Sequence, residues 1–141
     1  MKEKKTLLQR ARVDIEITKE NIQKKDDEIY IDIAAYHIQQ AIEKILKYLI
    51  EMEGESYRKT HDISILWGDV DELGLSPPEW IWENRDKLNR YQTETRYGDD
   101  IVASRREIIE ILEKTSVYYD EVLNKTQTKL NPNGVSEKFD M

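Results

Sequence analysis

Along most of this chain, apolar residues recur at steps of three and four. Leu8, Ala11, Ile15 and Ile22 predict an amphipathic helix over about residues 5–25. Its start is basic, which opposes the helix dipole, so the first turn is expected to fray. Asp26, Asp27 and Glu28 supply caps and negative charge for the next helix. That helix is expected over about 28–52, with Gly54 as its stop. Its stripe is Ile31, Ala34, Ala35, Ile38, Ala41, Ile42, Ile45, Leu46, Leu49 and Met52. The reverse side of its first half is also apolar, at Ile29, Ile33 and Tyr36. A helix apolar on two sides needs partners on two sides. It either sits centrally or packs across a dimer seam.

After a polar loop, a short helix is expected from Thr60 or Asp62, carrying Ile63, Leu66, Trp67 and Val70. Next, Ser76 reads as an N-cap, Pro77 as the first helical residue and Glu79 as the partner in a capping box. The helix they open shows Trp80, Asn84, Leu88 and Tyr91 on one face and stops at Gly98. A last helix, about 100–124, carries Ile101, Ile108, Ile111, Leu112, Tyr119, Val122 and Leu123. Residues 126–141 hold Asn-Pro-Asn-Gly and no period, and read as a flexible tail. No strand alternation and no repeat is visible. The expected class is all-α: an antiparallel up-and-down bundle of four main helices plus one short inserted helix, over residues 1–125.

Composition narrows the chemistry. The 141 residues suit one domain with a real core. The 36% charged residues suit solvated outer faces. There is no Cys, which excludes disulfides, thiolate metal sites and thiol nucleophiles and fits a cytoplasmic setting. No run approaches the length of a membrane span, and MKEKKTLLQRARVDIEI lacks a hydrophobic signal core. A net charge of −7 argues against extended duplex DNA binding but leaves room for one nucleotide or one RNA end.

Three clusters could carry chemistry. His37, Gln40, Lys44 and Lys47 share one side of the second helix, read either as a solvated face or as a polar groove beside a dimer seam. Arg58-Lys59-Thr60-His61-Asp62 lies in a loop before a helix, either as a capping cluster or as a site. Arg90, Tyr91, Arg96 and Tyr97 set arginines beside aromatics, which suits one phosphate and one stacked base. Metal and cofactor chemistry is not expected, because two histidines without HExxH spacing make no zinc site and no phosphate-binding glycine loop occurs.

Ala34 to Lys47, AAYHIQQAIEKILK, resembles the signature helix of the HEPN family (higher eukaryotes and prokaryotes nucleotide-binding domain). Lys59-Thr60-His61-Asp62-Ile63 is similar to that family's "THDL" step, and Tyr91 through Arg96-Tyr97 to its "Y…RYP" element. The resemblance implies a helical bundle that commonly dimerises and pairs with a minimal nucleotidyltransferase in toxin–antitoxin or defence systems. Some members are metal-independent ribonucleases with an Arg-x4–6-His motif. That motif is absent here: residues 30–32 and 54–56 hold no arginine, Arg58 is too close to His61, and Gly98 replaces the proline after Arg96-Tyr97. The expectation is a noncatalytic binding module whose groove comprises Gln40, Lys44, Lys47, His61, Arg96 and Tyr97. Its expected dimer seam is Ile29, Ile33 and Tyr36. The rival is a ribonuclease using His61 as general acid–base and Arg96 to stabilise the phosphorane. A third reading is a purely structural adaptor.

Overall fold

The computed structural model describes residues 6–24, 28–97 and 103–130, with side chains described except at 94–97 and 127–130. All regular structure among them is helical: α1 (Leu7–Ile22), α2 (Glu28–Met52), α3 (Ile63–Glu72), α4 (Glu79–Glu83), α5 (Arg85–Tyr97) and α6 (Arg105–Leu130). The chain is all-α, as its periodicity predicts. Among the described residues, no helix is long and apolar enough to cross a membrane.

α1 starts on a capping box. Thr6 Oγ1 accepts from the Gln9 N–H at 3.1 Å, and Gln9 Oε1 accepts from the Thr6 N–H at 2.8 Å. This satisfies two amides that a helix start otherwise leaves open. The far end of α1 is closed from a distance: the Arg105 guanidinium, opening α6, donates to the carbonyls of Ile22 and Lys24. A cation there also suits the negative end of the helix dipole.

α2 is central and packs against α1, α3, α5 and α6. The predicted stripe is buried from Ile31 to Leu46, while Leu49 and Met52 are half-buried at its end. Gly54 follows with a φ of 82°, the left-handed stop the sequence suggests. Asp26 and Asp27, the expected caps, lie outside the described residues.

The region between α3 and α5 departs from expectation. Ser76 is not a helix cap; its φ is 47°, and Pro78 takes the N-cap position without a side-chain bond. The reason is the Pro-Pro step. A residue before proline is pushed out of the α region, so Pro77 cannot be a first helical residue. The helix waits until Glu79. It also breaks after one turn, at Asn84, whose φ of −103° and ψ of 13° leave the helical region. Asn84 Nδ2 donates to the Trp80 carbonyl at 2.8 Å, a local side-chain bond of the kind that competes with helix continuation.

α6 begins later and ends later than its apolar pattern suggests. Ser104 Oγ accepts from the Glu107 N–H at 3.2 Å and sets the start. The helix continues through Leu130, five residues beyond the expected domain edge at 125. The remainder of the expected tail, 131–141, lies outside the described residues, as do Ile101 and Gly98. The buried Tyr91 hydroxyl donates to Glu107, and Lys87 Nζ lies 3.2 Å from the same carboxylate, linking α5 to α6.

Candidate functional site

Glu43 lies on α2 with its side chain only 5% exposed. An unpaired buried carboxylate is costly, so its partners matter. Lys47, one turn on, donates Nζ to Glu43 Oε2 at 2.9 Å. Gln39, one turn back, donates Nε2 to Oε1 at 3.1 Å. The third partner comes from the loop before α3: His61 Nδ1 is 3.1 Å from both carboxylate oxygens. A carboxylate only accepts, so Nδ1 donates and Nε2 is the nitrogen left for a ligand. His61 is 59% exposed while the group that orients it is buried. Gln40 joins the cluster by donating Nε2 to Gln39 Oε1 at 2.7 Å. Lys47 Nζ also stands 5.1 Å from the centre of the Tyr57 ring.

The THD step holds this loop. Thr60 Oγ1 accepts from the Asp62 N–H at 3.0 Å. Asp62, not Thr60, caps α3, accepting from the Ser64 N–H at 2.9 Å and the Ser64 hydroxyl at 2.6 Å. Asn89 on α5 braces it, donating to Asp62 Oδ1 at 3.0 Å and accepting from the Ile63 N–H at 2.9 Å. The Ser64 hydroxyl bond is the largest influence on the Asp62 carboxyl. Together with the Asn89 and backbone bonds it outweighs burial and holds the carboxyl below its ordinary range. The cap fixes the backbone, and Glu43 fixes the ring.

The polar side of α2 does not act as one set. His37 and Lys44 turn to a different carboxylate, Asp14 on α1. His37 Nδ1 is 2.9 Å from Asp14 Oδ1, and Lys44 Nζ is 2.5 Å from Oδ2. Asp14 is buried, so this triad is part of the α1–α2 contact. The two histidines therefore share one design: each donates Nδ1 to a buried carboxylate that a lysine also neutralises. They differ in exposure, at 26% for His37 and 59% for His61.

Of the expected groove, the structure brings together Gln40, Lys47 and His61 and turns Lys44 toward α1. Arg96 and Tyr97 lie in the last turn of α5, which packs against α2, but their side chains fall outside the described residues. Arg58 is drawn away, its Nε 3.0 Å from Asp69 Oδ2. On the expected seam Ile29 is 57% exposed, while Ile33 and Tyr36 are half-buried. Sequence reasoning missed Glu43, Gln39 and Asp14 as organisers. Glu43 had one usable signal: it stands four residues from both Gln39 and Lys47. Asp14 had none, because its partners lie on another helix. Among the described residues, no group of three or more metal-ligating side chains is gathered.

The HEPN domain family matches this chain over residues 5–125. No curated protein and no solved structure matches it. The family match covers nearly all of the helical domain, including the signature helix, the THD step and the Arg96-Tyr97 element, and the chain belongs to the HEPN family.

Proposed function

We propose that this HEPN domain is a noncatalytic nucleotide-binding module, acting in the cytoplasm with a nucleotidyltransferase partner in a toxin–antitoxin or defence pair. The observation that carries the reading is the Glu43 cluster. It presents the outer nitrogen of His61 next to the Glu43–Lys47 ion pair, with Gln40 joined to the cluster through Gln39. In this proposal His61 hydrogen-bonds a base and Lys47 meets a phosphate. Arg96 and Tyr97, at the end of α5, add a second phosphate contact and a stacking ring. Lys44 turns to Asp14 on α1 and stands apart from this cluster. Calorimetry with a panel of nucleoside mono-, di- and triphosphates tests it. Binding that His61→Ala and Lys47→Gln each weaken supports the reading. No heat up to the millimolar range, with or without magnesium, overturns the small-ligand version.

The second reading, a ribonuclease, is favoured by one specific feature. A histidine fixed through Nδ1 by a buried carboxylate is the arrangement general acid–base catalysis uses. Against it stands the absent Arg-x4–6-His spacing. Growth arrest on expression, relieved by His61→Ala, would move the reading to the enzyme. Intact RNA after long incubation with the purified protein would move it back.

We also propose a homodimer whose seam uses Ile29, Ile33 and Tyr36. Ile29 is exposed beside two half-buried apolar neighbours, a patch that association would cover. Ile33→Glu should leave the protein helical and monomeric in sedimentation. A wild type already monomeric at tens of micromolar would remove the seam.

A further inference from the structure

We propose that the face between α1 and α2 carries a separate site for a phosphate-type oxyanion, walled by Arg10, Arg12 and Lys44. A cavity of about 340 Å³ opens there, lined by Gln9, Arg10, Arg12, Val13, Asp14 and Lys44. Its volume falls in the range of small-ligand sites. Three cations and one carboxylate line it, an excess of two positive charges on a chain whose net charge is −7.

The carboxylate does not quench the arginines. Asp14 is buried, and its two oxygens are already taken, Oδ1 by His37 at 2.9 Å and Oδ2 by Lys44 at 2.5 Å. Among the described residues no carboxylate is ion-paired with Arg10. Among the same residues Arg12 is ion-paired with Glu16, at 4.0 Å with both side chains more than half exposed, a contact that water and salt weaken. Both guanidinium groups therefore keep donors for a bound anion. Gln9 spends its carbonyl oxygen on the Thr6 cap, and its amide nitrogen is the donor that remains. Beneath these donors, the Asp14 triad ties α1 to α2 and holds the floor in one geometry. Val13, 47% exposed, adds an apolar edge.

A wall of donors without a spare acceptor selects a ligand of acceptors only. Guanidinium forks match the paired oxygens of a tetrahedral oxyanion, and a charge of two matches the surplus on the wall. The site is distinct from the proposed nucleotide groove, since Lys47 and His61 belong to the Glu43 cluster and Arg10 and Arg12 to α1.

The test is titration of the isotope-labelled full chain with inorganic phosphate, followed by NMR, at constant ionic strength. Saturable shifts centred on Arg10, Arg12, Val13 and Lys44 are expected. Arg10→Gln with Arg12→Gln should weaken binding by about tenfold or more, since each charged hydrogen bond lost is a substantial fraction of the whole. Both positions are exposed, and circular dichroism checks that the fold survives. His61→Gln should leave phosphate binding unchanged even if nucleotide binding is lost. The proposal is overturned by non-saturable shifts in the wild type, by equal affinity in the arginine variant, or by loss in His61→Gln instead.

Discussion

Glu43→Gln is the substitution with the most to say about how this domain is built. Glu43 accepts from Gln39, Lys47 and His61, and its side chain is 5% exposed. Glutamine keeps the shape but removes the charge opposite Lys47, whose side chain is only 11% exposed. Removing one partner of a buried ion pair costs about 3–5 kcal/mol. Lys47 has a partial escape toward the Tyr57 ring and the surface, so the lower end, about 3 kcal/mol, is expected. That is a large part of the roughly 5–15 kcal/mol that holds a domain together. Lys47→Met alone should cost a similar amount by leaving buried Glu43 without its lysine. The double variant is the decisive case, because with both charges gone neither is left buried without its partner. It should lose less than the two single losses added together, with a coupling of about 2 kcal/mol. Urea unfolding followed by circular dichroism at 222 nm reads all four proteins. Additive losses, or a cost below about 0.5 kcal/mol for Glu43→Gln, would refute the view that Glu43 organises the site.

Arg105→Ala should destabilise by about 1–2 kcal/mol and speed amide exchange at the end of α1, because it strips two carbonyls of their charged donor. Asp62→Ala should cost about 1–2 kcal/mol, whereas Asp62→Asn, still a good cap, should cost less; thermal melts compare them. The pH dependence follows from Asp62 and Glu107. Burial pushes the Glu107 carboxyl up, but bonds from Tyr91 and Lys87 more than offset this, so both carboxyls lie below their ordinary values of 4.5 for Glu107 and 3.8 for Asp62. A lowered folded pKa means stability that is fully present above the ordinary value and lost as pH falls through the folded one. The urea midpoint should therefore hold from neutrality to about pH 5 and drop below about pH 4; in Tyr91→Phe the drop should be shallower, and an identical acid limb would contradict the assignment.

Much of the fold was legible because it rests on periodicity. Ile31 to Leu46 buries as one stripe on α2, which packs against α1, α3, α5 and α6, while the second apolar side stays exposed at Ile29 and half-buried at Ile33 and Tyr36. The failures are local contests that periodicity does not weigh. Pro77 is barred from opening a helix by Pro78, and Asn84 spends its amide on the Trp80 carbonyl. The site was half legible. Lys47 and His61 stand out as polar groups in a signature helix and a loop. Glu43 reads as one more surface glutamate until α3 brings His61 onto it. Asp14 reads the same way until α2 brings His37 and Lys44. Whether a polar residue is buried is a property of the partner helix, not of its own segment. Helical spacing alone also grouped Lys44 with Lys47, although each neutralises a different carboxylate.

In the proposed function it is His61, and not His37, that meets the ligand. Having two histidines makes this directly measurable, since ring carbon labelling gives one pair of signals for each. The labelled protein is titrated with the nucleotide that calorimetry ranks first, and His37→Gln assigns the signals. The His61 signals should move saturably and further than the His37 signals, and Glu43→Gln should weaken the response while leaving the chain helical. Stationary His61 signals at saturating nucleotide, or movement of His37 in their place, would contradict it.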